Sequence, residues 1–76
     1  MKSTKILLST INDVKDFVNI SSKYDFEIDL SSGRYVVDAK SIMGIFSLDL
    51  SKPINVEVSA SEAEKFLQEI ARFEIE

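Results

Sequence analysis

The chain contains no cysteine and no histidine, a single proline and two glycines. Without cysteine there is no disulfide, no thiolate metal ligand and no thiol nucleophile. Small secreted domains usually rely on disulfides, so a cytoplasmic protein is expected. Without histidine, no imidazole can act as a base, a metal ligand or a phosphoryl acceptor. Long apolar runs are missing as well. Nothing approaches the ~20 apolar residues that cross a bilayer. Ile6-Leu7-Leu8, after Met1-Lys2-Ser3-Thr4-Lys5, is too short for a signal-peptide core. A soluble, unprocessed chain with no membrane role is expected. Clustered positive charge is absent too. The net charge is -4 and no Lys/Arg patch is present, so nucleic acid is not an expected partner.

What remains is the composition of a packed domain. Hydrophobic residues make up 45% of 76 residues, enough for one core and one domain spanning residues 1–76. There is no glycine-rich phosphate loop, no nucleophile with a neighbouring base and no catalytic dyad. An enzyme is therefore not expected, nor is a cofactor.

Residues Thr4 to Ser9 read as a short buried strand. Thr10 or Asn12 can cap a helix running from Ile11 to Ser22, with Asp13 in its first turn. Ile11, Val14, Phe17, Val18 and Ser21 recur every three or four residues and predict its buried face. Phe26, Ile28 and Leu30 then alternate with Asp25, Glu27 and Asp29, the period of a strand with one wet face. Ser31-Ser32-Gly33 supplies a turn into a second strand, Arg34 to Asp38, and the two form a hairpin.

Ser41 can cap a short helix through Leu48, weakened by Gly44. Pro53 belongs at the start of a strand carrying Ile54, Val56 and Val58. Ser59-Ala60-Ser61-Glu62 matches a capping box before a helix whose apolar face is Ala63, Phe66, Leu67, Ile70 and Ala71. The order is β-α-β-β-α-β-α. One wet face per strand and one apolar face per helix predict an α+β fold. In it a four-stranded antiparallel sheet is covered on one face by three helices, as an open-faced β-sandwich. Asp25, Glu27, Asp29 and Asp38 then line the solvated sheet face. With no imidazole or thiolate to help, no metal site is expected there.

Ser22-Lys23-Tyr24-Asp25, the strand after it, and Lys40-Ser41-Ile42-Met43-Gly44-Ile45-Phe46-Ser47-Leu48 resemble the histidine-containing phosphocarrier protein (HPr) of the sugar phosphotransferase system. The element order is also that family's. In the family, a histidine at the start of the first helix is followed by alanine, arginine and proline, and it relays phosphate between enzymes. Counting back without gaps places that histidine at Thr10, the arginine at Asn12 and the proline at Asp13. A phosphothreonine is a stable ester, unlike a labile phosphoimidazole. Asp13 and Asp16 put negative charge where the family holds phosphate.

The resemblance implies that Ser41 matches a serine phosphorylated for regulation in some Gram-positive members. It implies that Ile42, Met43 and Phe46 form an exposed patch that docks on protein partners. The expected function is thus a non-catalytic HPr-like regulatory or interaction module, controlled at Ser41, with a serine kinase or a transcription regulator as partner. Two alternatives stand beside it. One is a phosphocarrier with another acceptor, such as Asp13. The other is an obligate subunit whose surface around Thr10, Ile11 and Val14 is covered.

Overall fold

The computed structural model describes residues 2–59 and 63–75. The elements are β1 (Lys2–Ile6), α1 (Ile11–Ser22), β2 (Ile28–Ser32), β3 (Tyr35–Asp38), α2 (Ile42–Phe46), β4 (Ile54–Val58) and α3 (Glu64–Glu69). A turn of 3-10 helix, Ala71–Phe73, follows α3. The strands form one antiparallel sheet in the order β1-β4-β2-β3. The helices cover one face and leave the other open.

Side-chain alternation explains which face is covered. Ile28, Leu30, Ile54, Val56, Val58 and Ile6 are buried, and their strand neighbours are exposed or half-buried. The helices answer with Val14 and Phe17 from α1, Ile45 from α2, and Phe66 from α3. Phe17 sits at the centre, edge-on to Phe66 and Phe73 with ring centroids 6.2 and 6.1 Å apart. Fully burying such a side chain stabilises by about 1.5–3 kcal/mol, and edge-on ring pairs add a little more.

Two glycines are used for their lack of a side chain. Gly33 has φ +60 and is the first residue of the two-residue turn joining β2 to β3. No other residue there has positive φ, so the turn is of the II′ kind, whose twist suits a hairpin. Gly44 lets α2 approach β3 closely. A Cβ there would lie 3.2 Å from both Val37 Cβ and Ser41 Oγ.

Several expectations shift. The first strand ends at Ile6, not Ser9. Its last partner is Ile54, and Pro53 before it has no N–H to extend the ladder. Leu7 instead donates its N–H to Phe73 O at 2.9 Å. The second helix stops at Phe46, not Leu48. There Ser47 Oγ donates to Gly44 O at 2.6 Å and competes with the helical ladder.

Ile11 is not on the buried face, being 62% exposed as the first residue of α1. Ala71 is exposed too, because the chain tightens into the 3-10 turn and rotates it off the apolar face. The capping box at Ser59-Ala60-Ser61-Glu62 falls on 60–62, which lie outside the described residues.

Candidate functional site

Thr10 is the N-cap of α1. Its extended backbone (φ -131, ψ 164) lets Oγ1 accept the N–H of Asp13 at 3.0 Å. The Asp13 carboxylate turns back in the same way. Its Oδ2 accepts the N–H of Ser9 at 3.1 Å. The start of α1 therefore carries a hydroxyl that takes the Asp13 N–H and a carboxylate that folds back onto Ser9. Thr10, Ile11 and Asn12 are exposed and Asp13 is half-buried. Val14, grouped with Thr10 and Ile11 as a candidate covered surface, is instead fully buried in the core.

A cleft of about 290 Å³ lies beside this helix start, lined by Leu7, Ser9, Asp13, Arg72, Phe73, Glu74 and Ile75. Arg72 is the cation of the lining, and it is already paired. Its guanidinium lies 3.0 Å from Asp16 Oδ2 and stacks over the Phe73 ring at 4.5 Å. The carboxylates of Asp13, Asp16 and Glu74 around one committed arginine do not favour an incoming anion.

Ser41 caps α2 as Thr10 caps α1. Its Oγ accepts the N–H of Gly44 at 3.1 Å, and it is half-buried. Lys40, adjacent to it, reaches away and donates from Nζ to Phe26 O at 3.1 Å. Beyond the cap, α2 divides by face. Ile45 is fully buried, Ile42 packs half-buried on the core, and Met43 and Phe46 stand 78% and 42% exposed. Met43 and Phe46 thus carry the exposed apolar surface of α2, with Ile42 at its edge. α1 packs against α2. Exposed Ile11 is a further large apolar side chain on the α1 start, and sequence periodicity hid it by counting it as core. The signal available was its position directly after the cap, where a helix begins above the core.

The carboxylates of the sheet lie on its open face. Asp29 lies opposite both Asp38 and Glu57, and of these Asp38 reaches the start of α2, its Oδ1 accepting the Lys40 N–H at 2.8 Å and its C=O the Ser41 N–H at 3.0 Å. On the helix side, Lys23, Tyr24 and Glu69 form a separate network. The Tyr24 hydroxyl and Lys23 Nζ both donate to the Glu69 carboxylate, Lys23 at 2.7 Å. Those two hydrogen bonds, Lys23 first, hold the Glu69 carboxyl below its usual range. The same hydrogen bond, followed by burial, pushes the Tyr24 phenol up to about 12.

A family model for the PTS HPr component phosphorylation site matches residues 13–74. The chain belongs to the HPr family. Solved structures agree. HPr-C-His from Thermoanaerobacter tengcongensis is 25% identical, with a TM-score of 0.81 over 95% of this chain and 89% of that one. Phosphocarrier protein HPr from Bacillus anthracis str. Ames shares the fold at 24% identity and a TM-score of 0.76, over 97% and 96% of the two chains. The histidine-containing phosphocarrier protein of a Mycoplasma does so at 18% and 0.73, over 93% and 86%.

HPr-family proteins are phosphocarriers of the phosphotransferase system, not catalysts, and they act by meeting other proteins of that system. The α+β open-faced sandwich is the HPr fold. Among the described residues, no helix is long and apolar enough to cross a membrane.

Proposed function

We propose that this HPr-family chain is a non-catalytic interaction module that no longer relays phosphate. The observation that carries this reading is the start of α1. There the Asp13 carboxylate and the Thr10 hydroxyl accept the N–H groups of Ser9 and Thr10's own helix, in a chain with no histidine. A second anion at that point would meet the Asp13 carboxylate and find the Asp13 amide already taken by Thr10.

Partner contact is assigned to Met43 and Phe46, with Ile42 at the rim. Exposed apolar clusters mark contact sites, and methionine adapts to varied surfaces. Ser41 is the proposed regulatory position. A phosphate there would replace a hydroxyl that now caps α2, changing both the charge and the order of the segment that presents Met43. A serine kinase and a transcription regulator are the partner classes this arrangement suits.

Two measurements test the reading. Incubation with phosphoenolpyruvate and the first enzyme of the system should leave the intact mass unchanged. A labelled chain would restore the carrier role. Partner capture should be lost in Met43→Asp with the fold retained by circular dichroism, and unchanged capture removes the patch assignment.

A further inference from the structure

The two edges of the sheet are finished differently. The outer edge of β1 is covered by the chain after α3. Ile6 bridges Glu74, Leu7 N–H donates to Phe73 O at 2.9 Å, and Ile75 N–H donates to Lys5 O at 3.1 Å. The outer edge of β3 has no strand partner among the described residues. Edge strands are usually guarded by lysine, proline or a bulge. β3, Tyr35-Val36-Val37-Asp38, has no lysine, proline or bulge and is guarded only by its shortness and by Asp38 at its end, with Tyr35 and Val36 69% and 66% exposed.

The direction of its peptide groups follows from the hairpin. Ser32 and Tyr35 flank a two-residue turn and exchange both hydrogen bonds. Ala39 N–H donates to Ile28 O at 3.0 Å, continuing the alternation. Tyr35, Val37 and Ala39 therefore face β2, and Val36 turns its N–H and C=O outward, while the outward C=O of Asp38 accepts the Ser41 N–H at 3.0 Å. Val37 pairs with core Leu30 and lies on the helix side. Val36 and Asp38 lie on the open face, opposite Ser31 and Asp29.

We propose that β3 pairs antiparallel with β3 of a second copy of this chain, centred on Val36. A two-fold axis normal to the sheet keeps like faces together. Only registers that join residues of equal parity are then allowed. Centring on Val36 sets Val36 against Val36 and Tyr35 against Val37. At both ends it sets Arg34 against Asp38. Centring on Val37 would rest on the Asp38 C=O that Ser41 N–H already uses, and it sets Arg34 against Lys40 and Val36 against Asp38.

Charge complementarity selects the first register. It also supplies a cation to a place that lacks one, since Asp38 ends the row Glu57, Asp29, Asp38 on the open face. A cleft of about 540 Å³ lined by Tyr35, Arg34, Ser47, Asp49 and Lys52 flanks this edge on the helix side. The product is a continuous eight-stranded sheet.

Sedimentation velocity from micromolar to millimolar concentration tests this. The wild-type chain should move from monomer to dimer. Val36→Pro removes an outward N–H that β2 does not use, and should raise the dissociation constant by about tenfold or more. Arg34→Asp should do the same by setting a carboxylate against Asp38 at each end. Arg34→Asp with Asp38→Arg should recover the wild-type constant, with circular dichroism confirming the fold of each variant. A monomer at every concentration overturns the proposal. So does a dimer indifferent to Val36→Pro, or a double swap that fails to recover.

Discussion

The Asp13 carboxylate accepts the backbone N–H of Ser9 at 3.1 Å, folding back over the start of its own helix. This contact holds a negative charge at the helix start. It also makes restoration of a carrier site a three-residue problem. Thr10→His alone should gain no phosphate from phosphoenolpyruvate and the first enzyme, because Asp13 still repels the incoming group. Thr10→His with Asn12→Arg and Asp13→Pro should gain one phosphate by intact mass. Equal labelling of the single and triple variants would show that Asp13 is no obstacle. Independently, Thr10→Ala should cost about 1 kcal/mol of stability through the lost cap.

Asp29 is flanked on adjacent strands by Asp38 and Glu57, a row of three carboxylates on the open face. Like charges directly opposite each other destabilise a sheet by roughly 0.2–1 kcal/mol per pair. Asp29→Asn keeps the shape and removes the middle charge. It should raise Tm by about 2–8 °C in low salt. The gain should shrink in high salt as screening takes over. An unchanged Tm at low salt would mean the row carries no repulsion.

The Tyr24–Glu69 hydrogen bond makes stability depend on pH at both extremes. Tyr24 is pushed to about 12, above its unfolded value of about 10. Its contribution is complete below the unfolded value and disappears as pH climbs through about 12. Glu69 is held below its usual range. Its contribution is complete above the unfolded carboxyl value of about 4.3 and fades as pH falls through the folded one. Urea midpoints against pH should form a plateau between these limits. Tyr24→Phe should remove the alkaline fall assigned to this phenol, and Glu69→Gln should flatten both ends. An alkaline limb identical in Tyr24→Phe and wild type would place its origin elsewhere.

Ser21 is fully buried in the last turn of α1, and its hydroxyl finds no hydrogen-bond partner among the described residues. A buried, unpaired polar group costs about 1–3 kcal/mol. Ser21→Ala removes that group, leaves almost no void and improves helix propensity. It should raise stability by about 1 kcal/mol, read as a higher urea midpoint at constant slope. A loss of stability would reveal a partner for the hydroxyl.

Much of this molecule was determined locally and could be read along the chain. α1 runs over Ile11–Ser22 because the cap at Thr10 and the spacing of Val14, Phe17 and Ser21 lie within one segment. The alternation through Ile28–Leu30 and Ile54–Val58 likewise fixed which side of each strand is dry. The order of elements followed. The caps at Thr10 and Ser41 were also local properties, whereas the exposure of Met43 and Phe46 was implied by the family resemblance.

Other features were settled only when distant segments met. β1 ends at Ile6 because its partner β4 begins after Pro53, far away in sequence. Ile11 is exposed because the core lies beneath the next turn of α1, which periodicity alone cannot see. The opposition of Asp29, Asp38 and Glu57 depends on strand order and register, which no single segment encodes. The same holds for the sheet edges. The sequence determined that Tyr35-Val36-Val37-Asp38 would be a strand. Only the tertiary order β1-β4-β2-β3 made it an outermost one, because the chain after α3 closes the β1 edge and leaves the β3 edge without a strand partner.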